Sequence, residues 1–157
     1  MENDFRIKSV KVQNIELNRI CRKFDEVYHE YAARCGISDA SFWVLYTLCE
    51  SDDIYTQNDL AGMWCFPKQT VNFAISKLVK DGFIRLEQIA AARNSKAVRL
   101  TEKGMELCGR IIVPVIEAEQ RSLMGMSVQE RELLISLSRK QYDNFKSEIE
   151  KCVNNIK

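Results

Sequence analysis

One arrangement constrains this chain more than any other: two amphipathic segments a few residues apart, with Pro67 at the head of the second. The stretch TQNDLAGMWCFPKQTVNFAISKLVKDGFI runs from Thr56 to Ile84. Thr56 is suited to cap a first short helix that reaches about Trp64 and turns Leu60, Ala61 and Trp64 inward. Cys65-Phe66 leaves room only for a tight turn. Pro67 has a ring-fixed φ and no N–H to leave unpaired, so a second helix is expected to begin at Pro67 itself. It runs to Asp81-Gly82, where the glycine supplies a stop. Two short helices joined by so brief a turn make a helix-turn-helix in geometry, whatever its use.

On a wheel of about 100° per residue, Val71, Ala74, Ile75, Leu78 and Val79 form one inward stripe. The opposite arc carries Gln69, Asn72, Phe73, Ser76, Lys77 and Lys80. These side chains suit a DNA groove: amides pair bidentately with adenine, lysines meet guanine or phosphate, and Phe73 packs on thymine methyls. The wheel alone leaves another reading open, in which Phe73 docks on a neighbouring helix and the amides are solvated surface.

After Gly82, Ile84 and Leu86 alternate with Arg85 and Glu87, and Lys96, Val98 and Leu100 alternate with Ala97 and Arg99. Period two marks strands, so the two runs are expected to pair as an antiparallel hairpin. Its tip carries Arg93 and Asn94, with Lys96 close behind, a basic finger of the kind that enters a minor groove. The bland alternative is a hairpin whose charges only keep it solvated. Between Thr56 and Lys103 there are eight basic and four acidic residues, +4, which leaves −3 on the rest of a chain whose net charge is +1. The basic charge is thus concentrated on the one segment with groove-reading side chains.

Outside that segment the pattern is helical. Val10, Leu17, Ile20, Phe24, Val27, Tyr28, Tyr31 and Cys35 recur at helical spacing before Gly36. Ser38 caps a second helix, apolar around most of its circumference, with Phe42, Trp43, Leu45, Tyr46, Leu48 and Cys49. Ile54-Tyr55 is a short β-prone piece. Thr101 starts a long helix that Pro114 is expected to kink, and Ser127-Val128-Gln129-Glu130 is a capping box opening a last helix through Leu133, Leu134, Leu137, Phe145 and Ile149. Long terminal helices with apolar stripes and no partner in their own chain point to a twofold dimer.

The 157 residues suffice for one compact domain, and no apolar run approaches the roughly 20 residues that a bilayer requires. The charged start, Met1 to Lys11, has no secretory pattern, so a cytoplasmic protein without a membrane partner is expected. No two of the six cysteines are closer than 14 positions, so neither a zinc framework nor a Cys-x-x-Cys motif exists, and buried thiols are expected. With one histidine, no metal-ligand spacing and no phosphate-binding glycine loop, nothing calls for a cofactor, a metal or a catalytic residue.

The segment LAGMWCFPKQTVNFAISKLVKDGFI, followed by a hairpin and RNSKAVRLTEKG, resembles the MarR family of winged-helix regulators over essentially the whole chain. The resemblance implies a mainly α fold with a small β wing: a winged helix-turn-helix lobe over residues 38–103, and dimerisation helices over 1–36 and 105–157. It implies a homodimeric, sequence-specific transcriptional regulator, a repressor, binding a pseudo-palindromic operator in double-stranded DNA and released by a small-molecule effector or by cysteine oxidation. Carried over by position, Lys68, Gln69, Thr70, Asn72, Phe73 and Lys77 read base and backbone, and Arg93 is the wing arginine. Where the family has Asp two residues before that arginine, this chain has Ala91. Tyr28, Tyr31, Trp43 and Tyr46 are candidates for an effector pocket, although aromatics at helical spacing are more often plain core. The rival class is a winged-helix module for protein assembly that does not bind DNA.

Overall fold

The computed structural model of the chain describes residues 2–89 and 95–156, with side chains from Ile7 onward. It has seven helices and three strands among the described residues: α1 (Glu2–Arg34), α2 (Asp39–Glu50), β1 (Tyr55–Thr56), α3 (Gln57–Met63), α4 (Lys68–Lys80), β2 (Ile84–Gln88), β3 (Lys96–Leu100), α5 (Glu102–Ile111), α6 (Val113–Met124) and α7 (Val128–Asn154). Contacts divide the chain into two units, Met1–Val113 and Pro114–Lys157.

The first unit holds the core. Phe42, Val44 and Leu45 of α2 are buried with Leu60 of α3, Val71 and Ile75 of α4, Ile84, Val98 and Ile112. Each such side chain contributes about 1.5–3 kcal/mol by leaving water, which makes α2 the hub on which the helix-turn-helix and the sheet are built. The sheet has the order β1-β3-β2, antiparallel throughout, with Leu86 opposite Val98 and Gln88 opposite Lys96. The β-prone piece is real but shifted by one residue. It pairs Tyr55 with Val98, so the expected hairpin gains a third strand.

Local signals place the helix ends. Thr56 caps α3 in a reciprocal box with Asp59, Thr101 caps α5 through the Gly104 N–H, and Ser127 with Glu130 opens α7. Gly82, at φ 77°, closes α4: its N–H bonds to the Val79 carbonyl and the Phe83 N–H to that of Leu78, the doubly bonded helix stop that favours a left-handed glycine.

Four expectations need correction. Pro67 is the residue before α4 rather than its first: its ψ of 135° is extended, and only its carbonyl joins the helix, accepting from the Thr70 N–H. Val79 is 38% exposed, because it lies at the edge of the buried stripe. The helix through Pro114 is interrupted at Ile112, giving α5 and α6 where one kinked rod was expected. The thiols are also less buried than expected: only Cys108 is fully enclosed, while Cys21, Cys65 and Cys152 are exposed.

In the second unit, α6 and α7 join through a turn in which the Arg131 guanidinium donates to the carbonyls of Leu123 and Met126. Leu134, Phe145 and Ile149 of α7 are exposed, as are Val10, Leu17 and Phe24 on α1 of the first unit.

Candidate nucleic-acid interface

α4 is held by one side only. Val71, Ala74, Ile75 and Leu78 are buried against the core, and their spacing forces Lys68, Gln69, Thr70, Asn72, Phe73, Ser76 and Lys77 onto the outer surface, where all are exposed. Phe73 is 75% exposed, which disposes of the reading in which it docks within the chain. The start of α4 is fixed by the turn before it, where Cys65 takes a positive φ of 53°. A non-glycine residue in that region is uncommon, and here it reverses the chain between Trp64 and Phe66.

Beside α4 lies a polar hollow of about 230 Å³. Asn72 forms one wall, Lys96 and Ser95 of the hairpin another, and Thr56, Gln57 and Asn58 at the head of α3 the floor. The fold thereby brings Asn72 and Lys96, two of the sequence-derived candidates, to one place. Gln57, Asn58 and Ser95 were not picked out from sequence, although consecutive polar residues after a helix cap are the signal that would have found them. Arg93, Asn94 and Ala91 lie outside the described residues.

Six of the eight basic residues of this segment divide into two sets. Arg85 is committed within the sheet, its Nε 2.6 Å from Glu87 Oε1. Lys103 is likewise committed, lying 4.7 Å from the centre of the Phe83 ring and donating to the Asp81 carbonyl at 2.7 Å. Lys68, Lys77, Lys80 and Lys96 are exposed on α4 and the hairpin, where a phosphate or base edge can reach them.

The four aromatic candidates separate too. Tyr31 donates its hydroxyl to the Ile111 carbonyl at 2.9 Å, and its pKa is raised by burial and by the neighbouring Cys35 thiol. Tyr46 is buried against Phe42 and Trp43, with ring centroids 6.0 and 5.3 Å away. Tyr28 and Trp43 line an open concavity. Among the described residues, no group of three His, Cys, Asp or Glu gathers to hold a metal ion, and no helix is long and apolar enough to cross a membrane.

No protein-family model and no curated protein matches the sequence. Solved structures do match the fold. A MarR family regulator from Neisseria meningitidis superposes with a TM-score of 0.72 at 21% identity, covering 92% of this chain and 99% of that one. The S. aureus protein MepR in its DNA-binding conformation gives 0.71 at 20% identity, with 85% and 98% covered. A putative MarR family transcriptional regulator from Listeria monocytogenes, complexed with 26mer DNA, gives 0.67 at 23% identity, with 85% and 88% covered. The fold of this chain is the MarR-type winged helix-turn-helix.

Proposed function

We propose that this chain is a sequence-specific DNA-binding transcriptional regulator, not an enzyme, and that it works in the cytoplasm as a homodimeric repressor on a pseudo-palindromic operator. The observation that carries this reading is the outer face of α4. A helix buried along one stripe presents two amides, two hydroxyls, three lysines and a 75% exposed phenylalanine on the other, with Lys96 alongside. Similar proteins solved in complex with DNA or in a DNA-binding conformation support the same use.

In this reading Lys68, Gln69, Thr70, Asn72, Phe73, Ser76 and Lys77 enter the major groove, while Lys96, with Arg93 and Asn94, serves the wing. The terminal helices, 1–36 and 105–157, pair two copies around a lobe spanning 38–103. Twofold pairing sets the recognition helices about 34 Å apart, one DNA turn. A small-molecule effector or oxidation of a cysteine releases the operator, by favouring a dimer spacing that does not fit DNA. Oxidation would reach the exposed thiols Cys21, Cys65 and Cys152 before the enclosed Cys108.

Binding-site selection with the full chain, followed by affinity measurements at several salt concentrations, tests the proposal. The expected result is one enriched palindrome, with log K falling linearly against log salt. A winged helix used for protein assembly would enrich no sequence and show no such slope, and that result would refute the regulator reading.

A further inference from the structure

Phe73 is 75% exposed, and among the large apolar side chains described only Ile156, in the turn that follows α7, exceeds it. Its setting differs from that of the exposed apolar residues on α1 and α7. Those recur at helical spacing and form stripes, as Ile20, Phe24 and Val27 do on α1 and Phe145 and Ile149 on α7. Phe73 instead has Gln69 and Thr70 one turn before it and Ser76 and Lys77 one turn after it, all polar and all exposed. At about 100° per residue, Gln69, Phe73, Ser76 and Lys80 fall within about 30° of the direction opposite the buried stripe of Val71, Ala74, Ile75 and Leu78, so they form the crest of α4. A single ring among amides, hydroxyls and lysines is a poor surface for another protein, which covers a contiguous apolar patch.

We propose that Phe73 makes operator recognition depend on the 5-methyl group of one pyrimidine in each half-site, and that the chain therefore binds a cytosine at that position more tightly once it is methylated. The proposal deepens the regulator reading above and rests on it. In the major groove thymine shows a methyl group beside its carbonyl acceptor, whereas cytosine shows an amino donor and no methyl. A phenyl ring has neither donor nor acceptor with which to tell the carbonyl from the amino group. What it detects is the methyl, which occupies the same place on thymine and on 5-methylcytosine and leaves water when it meets the ring. Uracil and unmethylated cytosine lack that contact.

The neighbours of Phe73 set where this pyrimidine lies. Gln69 is four residues earlier on the same crest, about 6 Å along the helix axis, and an amide of its kind pairs bidentately with adenine. Successive bases on a strand are about 3.4 Å apart, so with α4 following the groove the two contacts fall about two base steps apart. Lys77, four residues later, is placed to meet a phosphate and hold that register. The polar side chains thus position the ring, and the ring supplies a discrimination that none of them can make.

Binding-site selection with the full chain defines the operator. Each enriched thymine is then replaced, in both half-sites at once, by uracil, cytosine or 5-methylcytosine, and affinities of the parent and of Phe73→Ala are measured at one salt concentration. Two contrasts leave the opposing purine unchanged: thymine against uracil, and 5-methylcytosine against cytosine. At one position per half-site, loss of the methyl is expected to weaken parental binding about fourfold for each half-site in both contrasts. Phe73→Ala should abolish both differences while keeping the parent's salt slope. Because Phe73 is exposed, the variant should unfold near the parent's temperature. A methyl preference that persists in Phe73→Ala arises from duplex shape and overturns the proposal, as does the lack of any position where both contrasts favour the methyl. In either case the selected operator leaves the regulator reading standing. A chain that selects no sequence and has no salt-dependent duplex affinity overturns that reading, and this proposal with it.

Discussion

The Cα of Gly104 is packed directly on the carbonyl of Phe83, so close that a β-carbon there would overlap the oxygen, far inside contact distance, and lie 3.2 Å from Leu100 Cδ2. Phe83 follows the α4 stop and Gly104 sits in the first turn of α5, so this contact joins both ends of the β2–β3 hairpin. Thr101 completes the joint, its hydroxyl donating to the Gly82 carbonyl at 2.6 Å while accepting from the Gly104 N–H.

Gly104→Ala is therefore expected to destabilise the first unit, by about 2–3 kcal/mol, since the clash is with backbone and no side chain can rotate away. Urea unfolding of parent and variant at equal m-value measures it. Equal midpoints would show that the hairpin moves without cost. Gly109→Ala is the control, because a β-carbon there meets nothing within 4 Å, and it should not lower stability.

On α4, Lys77→Ala is expected to weaken binding to all duplexes alike and to reduce the salt slope by about one, the behaviour of a phosphate contact. Asn72→Ala should instead cost about 1–3 kcal/mol on the selected operator and relax the preference at one base position. Both side chains are exposed, so thermal unfolding should stay near the parent's. If neither variant changes operator affinity, α4 is not the reading helix.

The helices and the α4 face could be read in the sequence because they are set by local period and by caps: Thr56, Ser127 and Gly82 act on residues three or four positions away. What could not be read depends on distant partners. Val79 is about 80° round the wheel from Val71, at the margin where burial is decided by the neighbouring elements. Tyr55 finds Val98 across 43 residues, and Trp64 finds Thr47 across 17, so neither the third strand nor the aromatic pocket leaves a periodic trace. The exposed thiols escaped for a related reason: an apolar stripe shows that a face seeks cover, not whether its own chain supplies it.

The two capping boxes carry a pH dependence. Asp59 accepts from the backbone N–H and hydroxyl of Thr56, and Glu130 from those of Ser127, which holds both carboxyls below their ordinary values of 3.8 and 4.5. A carboxyl that ionises more readily in the folded state adds stability above its unfolded pKa and loses that contribution as pH falls through its folded one. Stability followed by circular dichroism should thus fall more in acid for the parent than for Asp59→Asn with Glu130→Gln, which should change less between about pH 5 and pH 3. An identical pH profile would mean that the caps do not depend on ionised carboxylates.

Cysteine reactivity should follow enclosure. Cys108 is buried, its thiol pushed up to about 12 by desolvation and by the neighbouring Cys49, whose own pKa is raised by burial. Since the thiolate is the nucleophile, Cys108 should resist alkylation in the native protein, while the exposed Cys21, Cys65 and Cys152 are labelled before it and all six react in urea. Peptide mapping after timed iodoacetamide treatment reads this, and early labelling at Cys108 would show that the core around α2 and α5 opens readily.

The terminal helices give the last prediction. α7 has 27 residues and so extends about 40 Å. Along it Leu134, Tyr142, Phe145, Ile149 and Val153 share one side, and all are exposed, as are Val10, Leu17, Ile20, Phe24 and Val27 on α1. Stripes of that length left in water would be costly, and a second copy offers the same stripes in return. A paired face burying about 800 Å² on each copy is enough for a stable dimer. Sedimentation at micromolar concentration should therefore give twice the chain mass, and Phe145→Glu with Ile149→Glu should give the single mass with the α4 lobe still folded. Operator affinity should then fall well beyond the loss from any one α4 substitution, because each half-site would be bound alone. A parent chain that sediments as a monomer would remove the dimer, and with it the reason for a palindromic operator.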